Sequence, residues 1–230
     1  LAKHNIGAKR PKWDRSERYT SKEYLPYVTA IGQLALAWND LHEALGSLFV
    51  SIVSVDDPKI QAAWQSLQAD RAKRGMLRAA IREMSAEQVR LNPRAEDEMK
   101  WLLNQIDRLE NERNNAIHSP LMSFSHPVWR SGLTRERPDG IGPDDIRGNR
   151  LATNLRNKNL LIEYRAVRDE AIIFRDYVEA IEQYWNWSDK RLTPWPEKPQ
   201  LPNRGQKSRR RARRADRPKQ LLLLHESSQE

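Results

Sequence analysis

An all-α fold is the prediction: a four/five-helix up-and-down-type bundle, with a long irregular insertion before the last helix and a disordered basic C-terminal tail. Three observations carry it. Apolar residues recur at spacings of three and four in successive stretches up to Trp187, which marks helices with one buried face. Short connections marked by Pro, Asp and Asn join these stretches, so consecutive helices lie side by side. Gly and Pro collect within 119–158 and again after Trp187. The layout that follows is an N-terminal arm over 1–22, the bundle over 23–190 with its insertion at 119–158, and a Pro-rich linker with a basic tail over 191–230.

The arm (Lys9, Arg10, Pro11, Lys12, Trp13) is polar and unpatterned, and is either solvated or docked through Trp13. The first core helix runs from Tyr24 or Tyr27 to Val53, with Ile31, Leu34, Trp38, Leu41, Leu45, Leu48, Phe49 and Ile52 on one stripe. His42 falls on that stripe too. It is either a satisfied core histidine or a group facing the polar cluster described below, as a substrate contact or second base.

Asp56-Asp57-Pro58 breaks this helix and starts the next, with Asp as cap and Pro at the first helical position. A short helix follows over Lys59–Leu67, and Asp70 reads as a second cap. The helix over 71–84 turns Met76, Leu77, Ala80, Ile81 and Met84 inward and carries Arg71, Lys73, Arg74, Arg78 and Arg82. That basic set is either a solvated face or a phosphate-tracking surface. In the second reading Lys73, nearest the apolar face, and Arg74 are the first contacts.

Asn92-Pro93 ends the region, and the next helix spans Arg94–His118. Its apolar face is Met99, Leu102, Leu103, Ile106 and Leu109. One turn further on, the same side becomes Glu110 and Arg113, then Asn114 and His118. Buried polar groups are costly unless paired, so either the helix end emerges into water here or the cluster is a site. Ser119-Pro120 stops the helix.

Residues 121–157 hold Pro127, Pro138, Gly140, Gly142, Pro143 and Gly148, which exclude long helices. Arg137-Pro138-Asp139-Gly140 is a turn sequence, with a short hairpin expected on either side of it. Phe124, His126, Trp129, Arg130, Arg135 and Arg137 either pack on the bundle or contact a base and phosphate. The last helix, Asn159 to Trp187, places Tyr164, Val167, Ala171, Phe174, Val178, Ile181 and Trp185 on a seam suited to long antiparallel or dimeric packing. Pro194, Pro196, Pro199 and Pro202 then make a stiff extended linker.

At 230 residues the chain is long enough for one domain with a sizeable core. Its apolar content of 38% is low, but eight Trp compensate through the large area each buries. The lack of Cys excludes disulfides, Cys-based metal sites and thiol nucleophiles. No apolar run is long enough to span a membrane and the first residues do not resemble a signal peptide, so a cytoplasmic protein is expected. The net charge of +9 is uneven: residues 203–219 alone hold nine Lys or Arg against one Asp. The run Lys207–Arg217, with Arg209, Arg210, Arg211, Arg213 and Arg214, is either a solvated tail or a nucleic-acid arm.

Arg113-Asn114-Asn115-Ala116-Ile117-His118 resembles the Arg-x4-6-His signature of the HEPN superfamily, including the polar residue that commonly follows the Arg. The resemblance covers residues 28–187 at the level of architecture and 113–118 at the level of motif. It departs after His118, where Ser-Pro stands in place of the Gly of many relatives. HEPN domains are small helical bundles, many of them metal-independent endoribonucleases, and the resemblance implies a homodimer that brings two copies of the motif together.

These residue types suit RNA cleavage by attack of a ribose 2′-OH on the adjacent phosphate. An imidazole such as His118 can serve as base or acid near neutrality. Arg113 supplies a permanent planar charge for the phosphate. Asn114 can orient His118 or the phosphate, and Glu110 can pair with Arg113 and hold its rotamer. No cofactor is expected. His118, His42 and Glu110 match no established metal-ligand spacing. RNA is therefore the expected partner. The alternative is a non-catalytic helical dimer, a nucleic-acid-binding or adaptor protein, in which Arg113 and His118 belong to a buried network fixing the helix end.

Overall fold

The computed structural model describes residues 21–53, 57–119, 121–124, 128–130, 133–135, 140–143, 150–155, 158–187 and 194–202. The N-terminal arm, most of the Arg137–Gly140 turn and the five tail arginines Arg209, Arg210, Arg211, Arg213 and Arg214 lie outside them. The chain is an all-α bundle. Among the described residues its helices are α1 (Leu25–Val53), α2 (Pro58–Ser66), α3 (Asp70–Arg82), α4 (Ala86–Leu91), α5 (Ala95–His118), α6 (Arg150–Asn154) and α7 (Leu160–Trp187). Among the described residues no helix is long and apolar enough to cross a membrane.

The core forms where the sequence stripes meet. Leu34, Trp38, Leu41, Leu45, Leu48, Phe49 and Ile52 of α1 are buried, as are all seven expected seam residues of α7 and the apolar face of α5. Each such Leu, Val or Phe contributes about 1.5–3 kcal/mol by leaving water. α1 and α2 approach closely at Gly46, where an added Cβ would lie 2.7 Å from the Trp64 indole nitrogen.

Side-chain pairs fix the helix directions. Gln33–Arg168, Asp40–Arg175 and Ser51–Asn186 each join α1 to α7 at a constant separation of 135 residues, so these two long helices run parallel. Trp38–Asp70 and His42–Arg74 hold a constant separation of 32, so α3 is parallel to α1 as well. α5 runs against all three: Glu98 meets Tyr177 while Trp101, further along, meets the earlier Phe174, and Arg74 meets Glu110 while Arg78 meets Asn104. The seam of α7 thus packs antiparallel to α5, as expected, and also parallel to α1, which was not. The parallel pairing is possible because α2 carries the chain back between α1 and α3.

Caps explain several boundaries. The Asp57 side chain accepts the Lys59 amide at 2.9 Å with Pro58 at the first helical position, as the sequence indicates. The capping box of Ser85 and Gln88 starts α4, a helix the sequence reading did not separate. Asp70, expected as a cap, is instead the first residue of α3. The cap position is Ala69, which makes no side-chain cap bond, and the Asp70 carboxylate faces α1.

Within the insertion, β1 (Leu121–Phe124) pairs antiparallel with β4 (Gly140–Pro143), and β2 (Val128–Arg130) with β3 (Leu133–Arg135). The strands flanking the Arg137–Gly140 turn therefore do not pair with each other. β4 returns to β1.

The bundle also ends later than expected. Its compact unit runs to Lys198, not 190. Trp195 is buried, donates from Nε1 to Glu98 Oε2 at 2.7 Å, and packs edge-on to Tyr184. Lys198 Nζ sits 5.3 Å above the Trp101 ring. What reads as a free Pro-rich linker is, over 194–198, a strap held on α5 and α7.

Candidate functional site

The antiparallel run of α5 brings its polar C-terminal end beside the middle of α1 and the start of α3. At the centre lies Arg74, fully buried. Its Nε donates to Asp107 Oδ1 at 2.8 Å, NH1 to His42 Nε2 at 3.0 Å, and NH2 to Glu110 Oε2 at 2.6 Å. Arg78 adds a bond to the other Asp107 oxygen at 2.5 Å. A guanidinium inside a protein needs this degree of pairing to offset its desolvation.

His42 is part of the same network. Its Nε2 faces the Arg74 donor and must accept, so Nδ1 carries the proton and donates to the Trp38 carbonyl at 3.0 Å. Burial pushes the imidazole pKa below its ordinary value, and Arg74 and Lys73 push the same way against the Trp38 carbonyl and Asp70. His42 is therefore a neutral core histidine with both nitrogens engaged.

Two sequence expectations are corrected here. Arg74 cannot hold a phosphate, because its exposure is nil and its guanidinium already has three partners. Glu110 does not hold Arg113, since its partner is Arg74. The sequence carried a signal for the first: Arg74 lies three and seven residues before Leu77 and Ile81, on their stripe, whereas Lys73 stays only half-buried. Arg71, Lys73 and Arg82 make no ion pair among the described residues, so they remain the available cations of α3.

Arg113 is half-buried on the neighbouring part of α5. Its guanidinium lies 5.5 Å from the centre of the Trp38 ring, a cation–π distance, and NH1 donates to Asn114 Oδ1 at 2.9 Å. Nε is buried without a hydrogen-bond partner, and the guanidinium meets no carboxylate among the described residues. Asn114 thus orients Arg113 rather than His118. Trp38 is anchored in turn: its Nε1 donates to Asp70 Oδ2 at 2.8 Å, and its ring tilts against His42 at 4.8 Å.

His118, the last residue of α5, is exposed. Five residues separate it from Arg113, about 140° around a helix of 3.6 residues per turn. Arg113 therefore points to the core side and His118 to the rim. Asn115, next to the motif, accepts from Asn154 of α6 at 3.0 Å and ties the insertion to this helix end. Among the described residues no three His, Asp or Glu side chains gather as a metal site.

Two other polar places differ in kind. Glu98 is buried on the α5 stripe. Burial raises its pKa, but bonds from Tyr177, Trp195 and Arg94 outweigh that and hold the carboxyl below its ordinary value. A groove of about 490 Å³ between α1 and α7 is lined by Asp40, Glu43, Glu179 and Glu182 around Arg175. Its carboxylates repel a phosphate backbone, so it is not where RNA would lie.

Comparison of the chain with protein-family models, with curated proteins and with solved structures finds no match.

Proposed function

We propose that this chain is a HEPN-like, metal-independent endoribonuclease that acts as a homodimer, with Arg113 and His118 at the reacting phosphate. One observation carries the reading. At the polar end of α5, Arg74 is saturated by Asp107, Glu110 and His42, while among the described residues Arg113 is left without a carboxylate and with Nε unbonded. A guanidinium braced on an aromatic ring, short of an anionic partner, suits the fork-like capture of a phosphate.

The reaction follows from these groups. The ribose 2′-OH loses its proton to an imidazole and attacks the adjacent phosphorus. The P–O5′ bond breaks, and the departing 5′-oxygen takes a proton from a second acid. The products are a 2′,3′-cyclic phosphate and a 5′-OH end. His118 supplies one proton-transfer group, and the motif of a second copy supplies the other. Arg113 offsets the negative charge that builds on the phosphate oxygens. Arg71, Lys73 and Arg82 of α3, and the tail arginines, would hold flanking phosphates.

The test is incubation of the purified full chain with mixed RNA in EDTA, beside His118→Ala. Cleavage by the first and not by the second supports the reading. Cleavage that survives His118→Ala, or that cuts RNA with a 2′-deoxy substitution at the cleaved nucleotide, removes it. A non-catalytic adaptor is the second reading. It is favoured by the way Asp107 and Glu110 are drawn into a buried network, which gives much of the polar edge of α5 a structural role.

A further inference from the structure

We propose that Trp38 and Asp70, on two helices other than the one that bears the motif, are positioning residues for Arg113. The proposal rests on the nuclease reading above. An arginine side chain has four rotatable bonds, and a guanidinium with one hydrogen bond can settle in several orientations. Among the described residues Arg113 has one such bond, to Asn114 on its own helix. Its other restraint is the face of Trp38, 5.5 Å away on α1.

That face would orient nothing if the indole could rotate. It is fixed at its edge by the 2.8 Å bond from Nε1 to Asp70 Oδ2. Trp38 is 1% exposed, so its ring is also packed in place. Asp70 is free for this task because the helix start it occupies makes no side-chain cap bond. The chain of restraint therefore runs Asp70, Trp38, Arg113 and crosses three helices. Arg113 remains charged whichever way it points, so loss of the restraint should impair stabilisation of the transition state more than capture of the RNA. Misplacement of a reacting or stabilising group by about 1 Å costs up to about a hundredfold in rate.

The experiment uses the full-length protein with RNA as substrate. Asp70→Ala is the main variant, since Asp70 is partly exposed and its loss leaves the core filled. The expected result is a fall in kcat of about ten- to a hundredfold with KM changed less than about threefold. Asp70→Asn, whose amide oxygen still accepts from the indole, should recover kcat to within about threefold of the parent. Trp38→Phe keeps a ring but loses the edge bond, and should match Asp70→Ala, with the double variant no worse than either single one. The Arg113 Hε–Nε resonance supplies a readout that does not depend on turnover: the ring current of Trp38 shifts it, and Asp70→Ala should alter that shift.

Unchanged kcat in Asp70→Ala, or an Arg113 resonance unmoved by both single variants, overturns the proposal. So does a loss of activity in Asp70→Asn equal to that in Asp70→Ala, which would point to the charge and not the bond. A parent protein that cleaves no RNA removes the nuclease reading itself, and with it the catalytic sense of this restraint, whatever the resonance shows.

Discussion

Arg74 NH2 donates to Glu110 Oε2 at 2.6 Å across the α3–α5 contact, and this bond settles how the polar end of α5 is divided. Glu110 is one helical turn from Arg113 and would be its natural partner on an isolated helix. Instead the carboxylate is held by another helix. One arginine becomes a structural cross-link and the other is left for a different purpose.

Arg74→Ala should therefore destabilise the fold strongly. It leaves Glu110 and the acceptor nitrogen of His42 without their partner, while Asp107 keeps Arg78, and removing one partner of a buried ionic group costs about 3–5 kcal/mol. Arg74→Lys should recover only part of this, because an ammonium cannot span three acceptors in a plane. Urea unfolding of the two variants beside Lys73→Ala is the measurement. Lys73→Ala should stay within about 0.5 kcal/mol of the parent, as expected of a surface change.

The chain shows its bundle plainly and its buried charges poorly, for a physical reason. The seam from Tyr164 to Trp185 is legible because all seven residues are apolar at 3-4 spacing, and all seven are buried. Arg74 has the same spacing relative to Leu77 and Ile81. A guanidinium reads as solvated until three partners on other helices are known, and those partners lie 32 to 36 residues away in sequence. The Arg113–His118 stretch is legible as a polar interruption of an apolar stripe. Which carboxylate goes with which arginine is not, because that depends on the register of α3 against α5. Helix direction is equally silent: nothing local says that α1 and α7 run parallel, since the return through α2 decides it.

Two buried titrating groups should give the stability opposing dependences on pH. Burial raises the Glu170 pKa from 4.5 to about 7 against the pull of Arg108. The unfolded chain gives up this proton first, so stability from this group is full below pH 4.5 and falls as pH rises toward 7, by about 3 kcal/mol. For His42 the sign is reversed. Its folded pKa lies below the ordinary 6.5, so the unfolded chain takes up the proton first and stability falls as pH drops below 6.5. Urea midpoints between pH 4.5 and 7 should rise with pH in Glu170→Gln and fall with pH in His42→Gln, while the parent is flatter than either. Equal slopes in the two variants would contradict this assignment.

The strap at Trp195 should matter more than the basic tail beyond it. A chain ending at Pro202 keeps the buried indole and its bond to Glu98, and should unfold at the same urea concentration as the full chain. A chain ending at Thr193 loses both and leaves Glu98 to Tyr177 and Arg94 alone. Trp195→Ala should likewise lose about 3–5 kcal/mol, the usual range for a buried Trp. Equal stability of the two truncations would mean that the strap merely rests on the bundle. Removal of 203–230 should weaken any nucleic-acid binding and flatten its salt dependence, because nine cationic side chains leave with it.

Arg113 and Arg74 should behave as opposites, and that contrast tests the division most directly. Had Glu110 been the partner of Arg113, Arg113→Ala would have left a carboxylate stranded and cost several kcal/mol. Glu110 keeps Arg74 in this variant, so the loss should be limited to the contacts with Trp38 and Asn114, of which the first is worth about 0.5–2 kcal/mol. Part of even that is returned, because the variant also removes a buried Nε that has no partner. On the nuclease reading RNA cleavage, in contrast, should vanish, since among the described residues Arg74 and Arg78 beside this end of α5 are already paired with carboxylates. Arg113→Lys should be close to the parent in stability and still fail to restore cleavage, because a point charge cannot present two parallel donors to a phosphate. The two readouts, urea midpoint and product formation, should thus separate for Arg113 and move together for Arg74. An Arg113→Ala protein that unfolds as readily as Arg74→Ala would place both arginines in one structural network and favour the adaptor.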